Sequence, residues 1–336
     1  MRRKLTVLIP MYNEEENVVS TLQKVNDVLY NLNVDYEILV VNDGSKDRTL
    51  ELLKEQNVKN KKLRIITYEK NKNLGNALKI GFDRAKGDYI ITIDSDLSYD
   101  AKYIVDLYKE LINTNYDIIQ GSPYMKGGDA LGVPRLRLLI SKISNMFFSY
   151  VIGAKVHTVT GMLRGYRRQV LDSLVLESSG PEIMFEILSK ASLLGFKTKE
   201  IPAILKGREK GKSKFQSQLR KVFSEYFSLL YSEKPIVFFK LLGLGLLIIA
   251  FFYGLFLIYG YVSGLIKSSD PVVQPVFSLL TILGALILFF SIIINQFTRL
   301  KKDFLIVQKQ NKHIEKLLED AKWQNYFVDI ANAENK

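Results

Sequence analysis

The sequence lacks cysteine entirely and contains only two histidines among its 336 residues. A chain without cysteine forms neither a disulfide framework nor a thiolate metal site, and two histidines are too few for a histidine-rich site. Any divalent cation must therefore bind through oxygen ligands, which favours Mg²⁺ or Mn²⁺. The sequence has no G-x-x-x-x-G-K-[ST] segment, and no G-x-G-x-x-G follows its first predicted strand. It therefore matches neither a P-loop NTPase nor a dinucleotide-binding protein.

Charge is missing from two long stretches near the C-terminus. Leu241–Ile266 and Pro271–Thr298 contain no Asp, Glu, Lys or Arg, and each exceeds the roughly 20 apolar residues that cross a bilayer. We predict two transmembrane helices here, since the buried helices of a soluble core, the alternative, seldom stay apolar over this length. Basic residues such as Lys234 and Arg299 flank the pair. The positive-inside rule therefore predicts a multi-pass cell-membrane protein whose N-terminal domain is cytoplasmic.

Two further features concern partners and targeting. The formal net charge is +12, which suits a polyanionic partner such as nucleic acid, an anionic membrane or a phosphorylated substrate. The N-terminal segment MRRKLTVLIPMYNEEE begins like a secretory signal. Its apolar run is too short and ends in acidic residues, so we expect no signal peptide.

Apolar, β-branched runs alternate with helical segments over residues 1 to about 210. The runs are Leu5–Ile9, Glu37–Val41, Leu63–Tyr68, Tyr89–Ile93 and Asp117–Gln120. The segments with helical spacing include Val18–Leu32, Leu74–Ala85 and Ala101–Ile112. This alternation predicts an α/β domain with a largely parallel sheet. Ligands of such sheets bind beyond the carboxyl ends of the strands.

The rest of the chain completes the predicted organisation. Phe215–Tyr231 carries apolar residues on one side and basic residues near the other, which predicts a helix in the bilayer interface or, alternatively, a helix packed on a protein core. We expect an α/β domain over residues 1–212, an amphipathic interfacial helix over 213–234, two transmembrane helices over 235–298 and a charged, helical cytoplasmic tail over 299–336.

Polar clusters follow four of the predicted strands. They contain Pro10, Tyr12, Asn13, Glu14 and Glu16, then Asp43, then Asp94, Ser95 and Asp96, and finally QGSPYMKGG. Each cluster alone could be an ordinary turn, but a parallel sheet brings all four to one edge. Clustered carboxylates are unfavourable unless a cation neutralises them, and Mg²⁺ commonly binds one or two carboxylates plus substrate phosphates. We therefore predict a metal and nucleotide site, with Asp94 and Asp96 as metal ligands and Asp43 near the base or ribose hydroxyls.

Four segments together make a specific resemblance. In order, IPMYNEEENV, VNDGSKDRT, NLGNALKIGFDRAKGDYIITIDSD and REKGKSKF resemble family 2 glycosyltransferases of GT-A fold, within them the polyprenyl-phosphate sugar synthases of the dolichol-phosphate mannose synthase group. The resemblance covers roughly residues 4–215. It implies a mostly parallel GT-A sheet flanked by helices, followed by a two-helix transmembrane hairpin.

The resemblance also implies an activity. One hexose would pass, with inversion and with Mg²⁺ or Mn²⁺, from a nucleotide diphosphate sugar (GDP-mannose or UDP-glucose) to a dolichyl or undecaprenyl phosphate at the cytoplasmic membrane face. It implies no nucleic-acid partner and leaves a homo-oligomer open. Because a phosphate monoester has a second pKa near about 6, the acceptor is already largely dianionic at neutral pH. We therefore expect no enzymic base.

Residue roles follow from the motifs of the resemblance. The nucleotide side comprises Pro10, Tyr12, Glu14, Val41 and Asp43, and the metal pair is Asp94 and Asp96, with Ser95 between them. The acceptor side comprises Arg137, Ser141 and Asn145 on one helix, then Thr160, Arg164 and Tyr166, then Arg208, Lys212, Ser213 and Lys214 in a loop before the membrane. The predicted catalytic residues are Asp96, Arg137, Arg208 and Lys212, and Glu186 matches a helical carboxylate.

Three positions depart from the family pattern. Ser98 stands where a glutamine often binds metal, Pro123 replaces an arginine, and Thr158 replaces an aspartate. These departures affect the acceptor geometry and the sugar rather than the class of reaction.

Two alternative functions stay open. A processive polysaccharide synthase would carry Q-x-x-R-W, but the single tryptophan, Trp323, follows Lys322. A non-catalytic partner that binds nucleotide sugars would not need both Asp94 and Asp96.

Overall fold

The computed structural model describes residues 4–153, 155–207, 235–265 and 273–334. The chain divides into two compact units, Met1–Phe215 with Leu305–Lys336, and Gln216–Phe304. The predicted interfacial helix and the loop residues Arg208, Lys212 and Lys214 lie outside the described residues.

A seven-stranded sheet forms the centre of the first unit. Its strands are β1 (Lys4–Met11), β2 (Asp35–Asn42), β3 (Leu63–Thr67), β4 (Tyr89–Thr92), β5 (Ile118–Ser122), β7 (Arg164–Arg167) and β8 (Thr198–Pro202). The strand order is β3-β2-β1-β4-β7-β5-β8. Only β7 is antiparallel to its neighbours, β4 and β5, within this sheet. The prediction of a mostly parallel sheet is therefore confirmed, and the five predicted strands differ from the observed ones by at most two residues at either end.

Helices flank this sheet. They are α1 (Val18–Tyr30), α2 (Thr49–Lys59), α3 (Asn73–Arg84), α4 (Tyr103–Asn113), α5 (Arg135–Ile152), α6 (Arg168–Ser173) and α7 (Ile183–Leu193). The short strands β6 (Asp129–Leu131) and β9 (Ile204–Lys206) pair separately. In α1, Val18, Leu22, Val25 and Leu29 are buried, a spacing that places one apolar stripe against the sheet. Because strands covered on both faces need apolar side chains on both, β1 is buried from Leu5 to Met11.

Two long helices follow later in the sequence, α8 (Pro235–Val262) and α9 (Val273–Glu334). Each contains a segment long and apolar enough to cross a membrane, Ile236–Val262 and Pro275–Ile294. The helix α9 continues without a break into its charged portion. The boundary predicted at residue 298 is therefore a change of composition inside one helix.

The two apolar helices contact each other at a pair of glycines. A Cβ on Gly243 would lie 3.0 Å from the carbonyl oxygen of Gly284 and 2.9 Å from Leu288. A Cβ on Gly284 would lie 2.9 Å from Leu247. Small residues at such contacts let two membrane helices pack closely, which supports a hairpin.

Replacing Gly243 by Leu should weaken this hairpin. The larger side chain would force the helices apart, and overpacking of this kind costs about 1–3 kcal/mol. We expect a lower aggregation temperature for the full chain in detergent. Gly245→Leu is the matched control, because a Cβ on Gly245 meets no atom within 4 Å. Equal behaviour of the two variants would contradict the glycine contact.

Candidate functional site

The loops that follow β1 and β2 hold each other in place. The backbone N–H of Asn13 donates to Ser45 Oγ at 3.0 Å, and Asn13 Oδ1 accepts from the N–H of Lys46 at 2.8 Å. The N–H of Glu14 donates to Thr49 Oγ1 at 2.8 Å. These reciprocal bonds join the first two strand ends into one polar surface.

The predicted nucleotide-side residues lie on or beside this surface. Pro10 and Val41 are buried neighbours across the β1–β2 register. Tyr12 is 42% exposed, and Glu14, half-buried, accepts from Asn17 Nδ2 at 2.6 Å. Tyr12 and Glu14 therefore carry the accessible part of this set.

Asp43 is buried and attaches a third segment to the surface. Its Oδ1 accepts from the N–H of Lys72 at 2.7 Å, and its Oδ2 accepts from Asn71 Nδ2 at 2.9 Å. Gly44 has φ +65°, and a Cβ there would lie 2.6 Å from the backbone nitrogen of Asn71. Only glycine fits that conformation and that approach. Burial, together with the nearby Asp43 carboxylate, raises the pKa of Tyr68.

Asp94 and Asp96 lie just beyond the end of β4, and both are half-buried. The hydroxyl of Thr21 on α1 donates to the carbonyl of Ser95 at 2.6 Å, which fixes the backbone between them. Asp96 Oδ1 accepts from the N–H of Ser98 at 2.9 Å and from its hydroxyl at 2.5 Å. Ser98, which replaces the glutamine of the family pattern, therefore orients Asp96.

The donor set at this point suits a hard cation. Among the described residues, no group of three or more His, Asp or Glu side chains could hold a metal ion. Two carboxylates at a strand end nevertheless fit Mg²⁺ or Mn²⁺, since such ions take their remaining ligands from phosphates and water. Asp94 and Asp96 are thus chemically adequate for a cation that arrives with a diphosphate.

A pocket of about 240 Å³ opens beside Asp94. Its lining is Leu74, Asp94, Ser98, Tyr99, Pro123, Tyr124, Ser141, Asn145, Thr158, Thr160, Gly161, Met162, Pro181, Met184 and Leu205. Among the described residues, Asp94 is the one charged member of that lining. Hydroxyl groups dominate the polar part: Tyr124 donates to Ser141 Oγ at 2.7 Å, and the Ser122 and Thr158 hydroxyls are 2.7 Å apart. Pro123 and Thr158, two of the positions that differ from the family pattern, thus line the same pocket.

The acceptor-side predictions fall in three different places. Ser141 on α5 lines the pocket together with Asp94. Arg137, one helical turn earlier, is exposed and outside that lining. Arg164 is completely buried, donates to the carbonyl of Met184 at 2.6 Å and also donates to the carbonyl of Val159. Arg164 therefore supports the pocket from beneath rather than facing into it.

Sequence reasoning missed Tyr99 and Glu200, and it named Gln120 only as part of the polar cluster QGSPYMKGG. Tyr99 lines the pocket, and burial raises the pKa of its hydroxyl, as does the nearby Asp94 charge. Gln120 and Glu200 lie on β5 and β8 and bond to the segment that carries Thr158. Glu200 follows Thr198 and Lys199 in the strand TKEIP, so the local sequence gave no signal that its carboxylate is buried.

Comparisons of the sequence agree on one family. The profile described as Glycosyl transferase family 2 matches residues 6–175. Dolichol-phosphate mannosyltransferase of Pyrococcus furiosus is 34% identical over 231 residues, which cover 68% of this chain and 63% of that protein. Undecaprenyl-phosphate 4-deoxy-4-formamido-L-arabinose transferase of Photorhabdus laumondii is 33% identical over 215 residues, 63% of each chain. The match thus spans about 63% of the length of these relatives.

A comparison of structures agrees on the fold. Glucosyl-3-phosphoglycerate synthase of Mycobacterium tuberculosis, crystallised with Mn²⁺, UDP and phosphoglyceric acid, superposes with a TM-score of 0.55. The superposition covers 69% of this chain and 78% of that one at 17% sequence identity. At this identity the likeness concerns the fold alone.

Proposed function

The chain belongs to glycosyl transferase family 2, and from that premise we propose that it is a membrane-bound, inverting hexosyltransferase. It moves one hexose from a nucleotide diphosphate sugar to a polyprenyl phosphate at the cytoplasmic face of the cell membrane. The supporting observation is that one pocket is lined both by a proposed metal ligand and by the helix proposed to bind the acceptor. Asp94 bounds this pocket on one side, and α5, with Ser141, bounds it on another.

The chain's own residues supply binding and orientation. Tyr12, Glu14 and Asp43 contact the nucleotide, and Asp94 and Asp96 hold Mg²⁺ or Mn²⁺. When bound, the cation offsets charge on the leaving diphosphate. Glucosyl-3-phosphoglycerate synthase of M. tuberculosis, which shares the fold, has been crystallised with UDP and either Mn²⁺ or Mg²⁺. These complexes are consistent with the assignment.

The acceptor side positions an anion. Arg137 lies one turn from Ser141 on α5, so it can draw a lipid phosphate toward the pocket. Arg208 and Lys212, outside the described residues, are proposed to act with it. The phosphate oxygen attacks the anomeric carbon in line, which inverts its configuration. No enzymic base is needed, because the acceptor's second pKa is about 6.

The outer face of α5 supports a lipid-borne acceptor. Five apolar side chains along it are exposed: Leu136, Leu139, Ile143, Met146 and Tyr150. The charged residues of this helix are Arg135, Arg137 and Lys142, with no acidic residue. An apolar stripe beside basic residues suits an anionic membrane surface. Packing of two copies through the same face would instead bring like charges together.

The decisive experiment uses the full chain in vesicles that contain one polyprenyl phosphate. Labelled UDP-glucose and GDP-mannose are supplied separately, with and without Mg²⁺ or Mn²⁺. We expect one donor to yield a lipid carrying a single sugar, together with metal-dependent release of the nucleoside diphosphate. A growing polysaccharide would indicate a processive synthase. Binding of donor without any transfer would indicate a non-catalytic partner. Either result rejects the proposal.

A further inference from the structure

Four successive backbone N–H groups, from His157 to Thr160, donate to side chains. The N–H groups of His157 and Thr158 both donate to the Glu200 carboxylate at 2.8 Å. Those of Val159 and Thr160 donate to Asn145 Oδ1 at 2.6 and 3.2 Å. Residues 157–160, hereafter the 157–160 wall, belong to no helix or strand.

Two carbonyl groups of the wall also accept hydrogen bonds from side chains. The carbonyl of Thr158 accepts from Gln120 Nε2 at 2.6 Å, and that of Val159 accepts from Arg164. The holding side chains are themselves buried: Asn145 is 1% exposed, Arg164 0%, and the Glu200 side chain 5%. Because secondary structure does not fix this segment, side chains from α5, β5, β7 and β8 determine its position.

We propose that Asn145 is a positioning residue for sugar transfer that acts by holding the 157–160 wall in place. Glu200 and Arg164 hold the same wall through their own hydrogen bonds to its backbone. The wall contributes Thr158 and Thr160 to the pocket that Asp94 bounds. Asn145 is the group that ties it to α5, the helix that carries Ser141 and Arg137. It therefore sets the distance between the two sides of the pocket. This inference rests on the proposed function.

The position of such a wall affects rate more than fold. A misplacement of about 1 Å at a reacting centre can lower a rate by about 10²-fold. Removing Asn145 Oδ1 would leave two N–H groups without this acceptor, and that of Val159 is buried. A buried donor without an acceptor is unfavourable, so the wall would move. The nucleotide-side residues Glu14 and Asp43 are held by other bonds and would stay.

Three variants of the full chain in vesicles test this proposal. Asn145→Leu removes the acceptor oxygen, whereas Asn145→Asp retains it. Asn26→Leu is the matched control, because Asn26 also joins two side chains, accepting from Tyr36 at 3.3 Å and Asn60 at 3.0 Å, but beside the start of β2. The readouts are kcat/KM for the lipid acceptor, the affinity for nucleoside diphosphate, and hydrogen–deuterium exchange of the 157–160 amides.

For Asn145→Leu we expect kcat/KM for the acceptor to fall by about 10²-fold, nucleotide affinity to stay within about twofold, and the 157–160 amides to exchange faster. Asn145→Asp should recover most of the loss, and Asn26→Leu should change none of the three. Faster exchange with acceptor turnover equal to the control would overturn the proposal, as would a parallel loss of nucleotide affinity. If the wild-type chain transfers no sugar to lipid, the proposed function fails, and the exchange rates alone then decide whether Asn145 holds the wall.

Discussion

Replacing Asp96 by Asn should lower sugar transfer by at least about 10³-fold, since the cation contributes several kcal/mol and about 1.4 kcal/mol corresponds to tenfold. The substitution removes one of only two carboxylates at the strand end. The protein should stay folded, because an amide oxygen can still accept from the N–H of Ser98, as Asp96 Oδ1 does at 2.9 Å. Mutual repulsion between Asp94 and Asp96 also falls.

Turnover in vesicles and Mn²⁺ binding in the presence of nucleoside diphosphate are the measurements. Asp100→Asn is the control, since it removes the same charge from an exposed residue outside the pocket. Ser98→Ala should have a smaller effect than Asp96→Asn, because it loses only the hydroxyl that orients Asp96. Full turnover of Asp96→Asn would show that the metal assignment is wrong.

The strands that sequence reasoning found share one property. The runs at β1, β2 and β4 are buried on both faces, so most of their residues are apolar. The buried polar exceptions include Thr6 and Glu37, which hydrogen-bond to each other. The strand β7 was not predicted, since its four residues, RGYR, include two arginines. Arg164 is buried there only because the carbonyl groups of Val159 and Met184 accept from it. Those partners come from other elements, and local sequence carries no sign of them.

The candidate site also has one part that sequence reasoning could predict and one part that it could not. The clusters after β1, β2 and β4 could be placed together, because adjacent parallel strands end at one edge of the sheet. The 157–160 wall could not, because Asn145, Glu200 and Gln120 come from separate elements with no common spacing. The family resemblance named Asn145 and Arg164 but gave them no contacts. Their bonds to the wall are a product of tertiary packing.

A second large effect is expected at Glu186 on α7. Its carboxylate is buried, lies 2.7 Å from Lys190 Nζ, and accepts from the N–H groups of Glu177 and Ser178 at 2.8 and 2.9 Å. Burial alone would raise the pKa of Glu186, but the bonds from Lys190 and the two N–H groups outweigh it and hold the pKa below its usual value. Such a carboxylate is a poor candidate for a catalytic base.

These bonds connect Glu186 to the pocket. They fix the turn that contains Ser179, whose carbonyl accepts from the N–H of Gly75 at 2.8 Å at the start of α3. Leu74 and Pro181, on either side of that contact, line the pocket. Glu186→Leu should therefore destabilise the first unit by about 3–5 kcal/mol, because it removes the buried carboxylate partner of the buried Lys190 ammonium and leaves it the longer contact to Glu177 and a bond to the carbonyl of Val175.

Hydrogen–deuterium exchange of peptides from Leu174 to Leu193 would measure this loss. Glu177→Gln is the control: Lys190 also lies 3.5 Å from Glu177, but that carboxylate is 71% exposed, so its pairing is worth at most about 1 kcal/mol. If the two variants exchanged at the same rate, the buried pair would not be the stabilising contact.

The pH dependence separates this structural role from catalysis. Because the pKa of Glu186 is lower in the folded state, its stabilisation is present above the unfolded value of about 4.3 and is lost as the pH falls through the folded pKa. The stability difference between wild type and Glu186→Gln should therefore be constant near neutral pH and shrink below about pH 4. The rate of transfer should still rise through the acceptor's own ionisation near about pH 6 in both proteins. A Glu186→Gln variant that stayed folded and bound both substrates, yet lost that rising limb, would establish Glu186 as a base and refute the base-free mechanism.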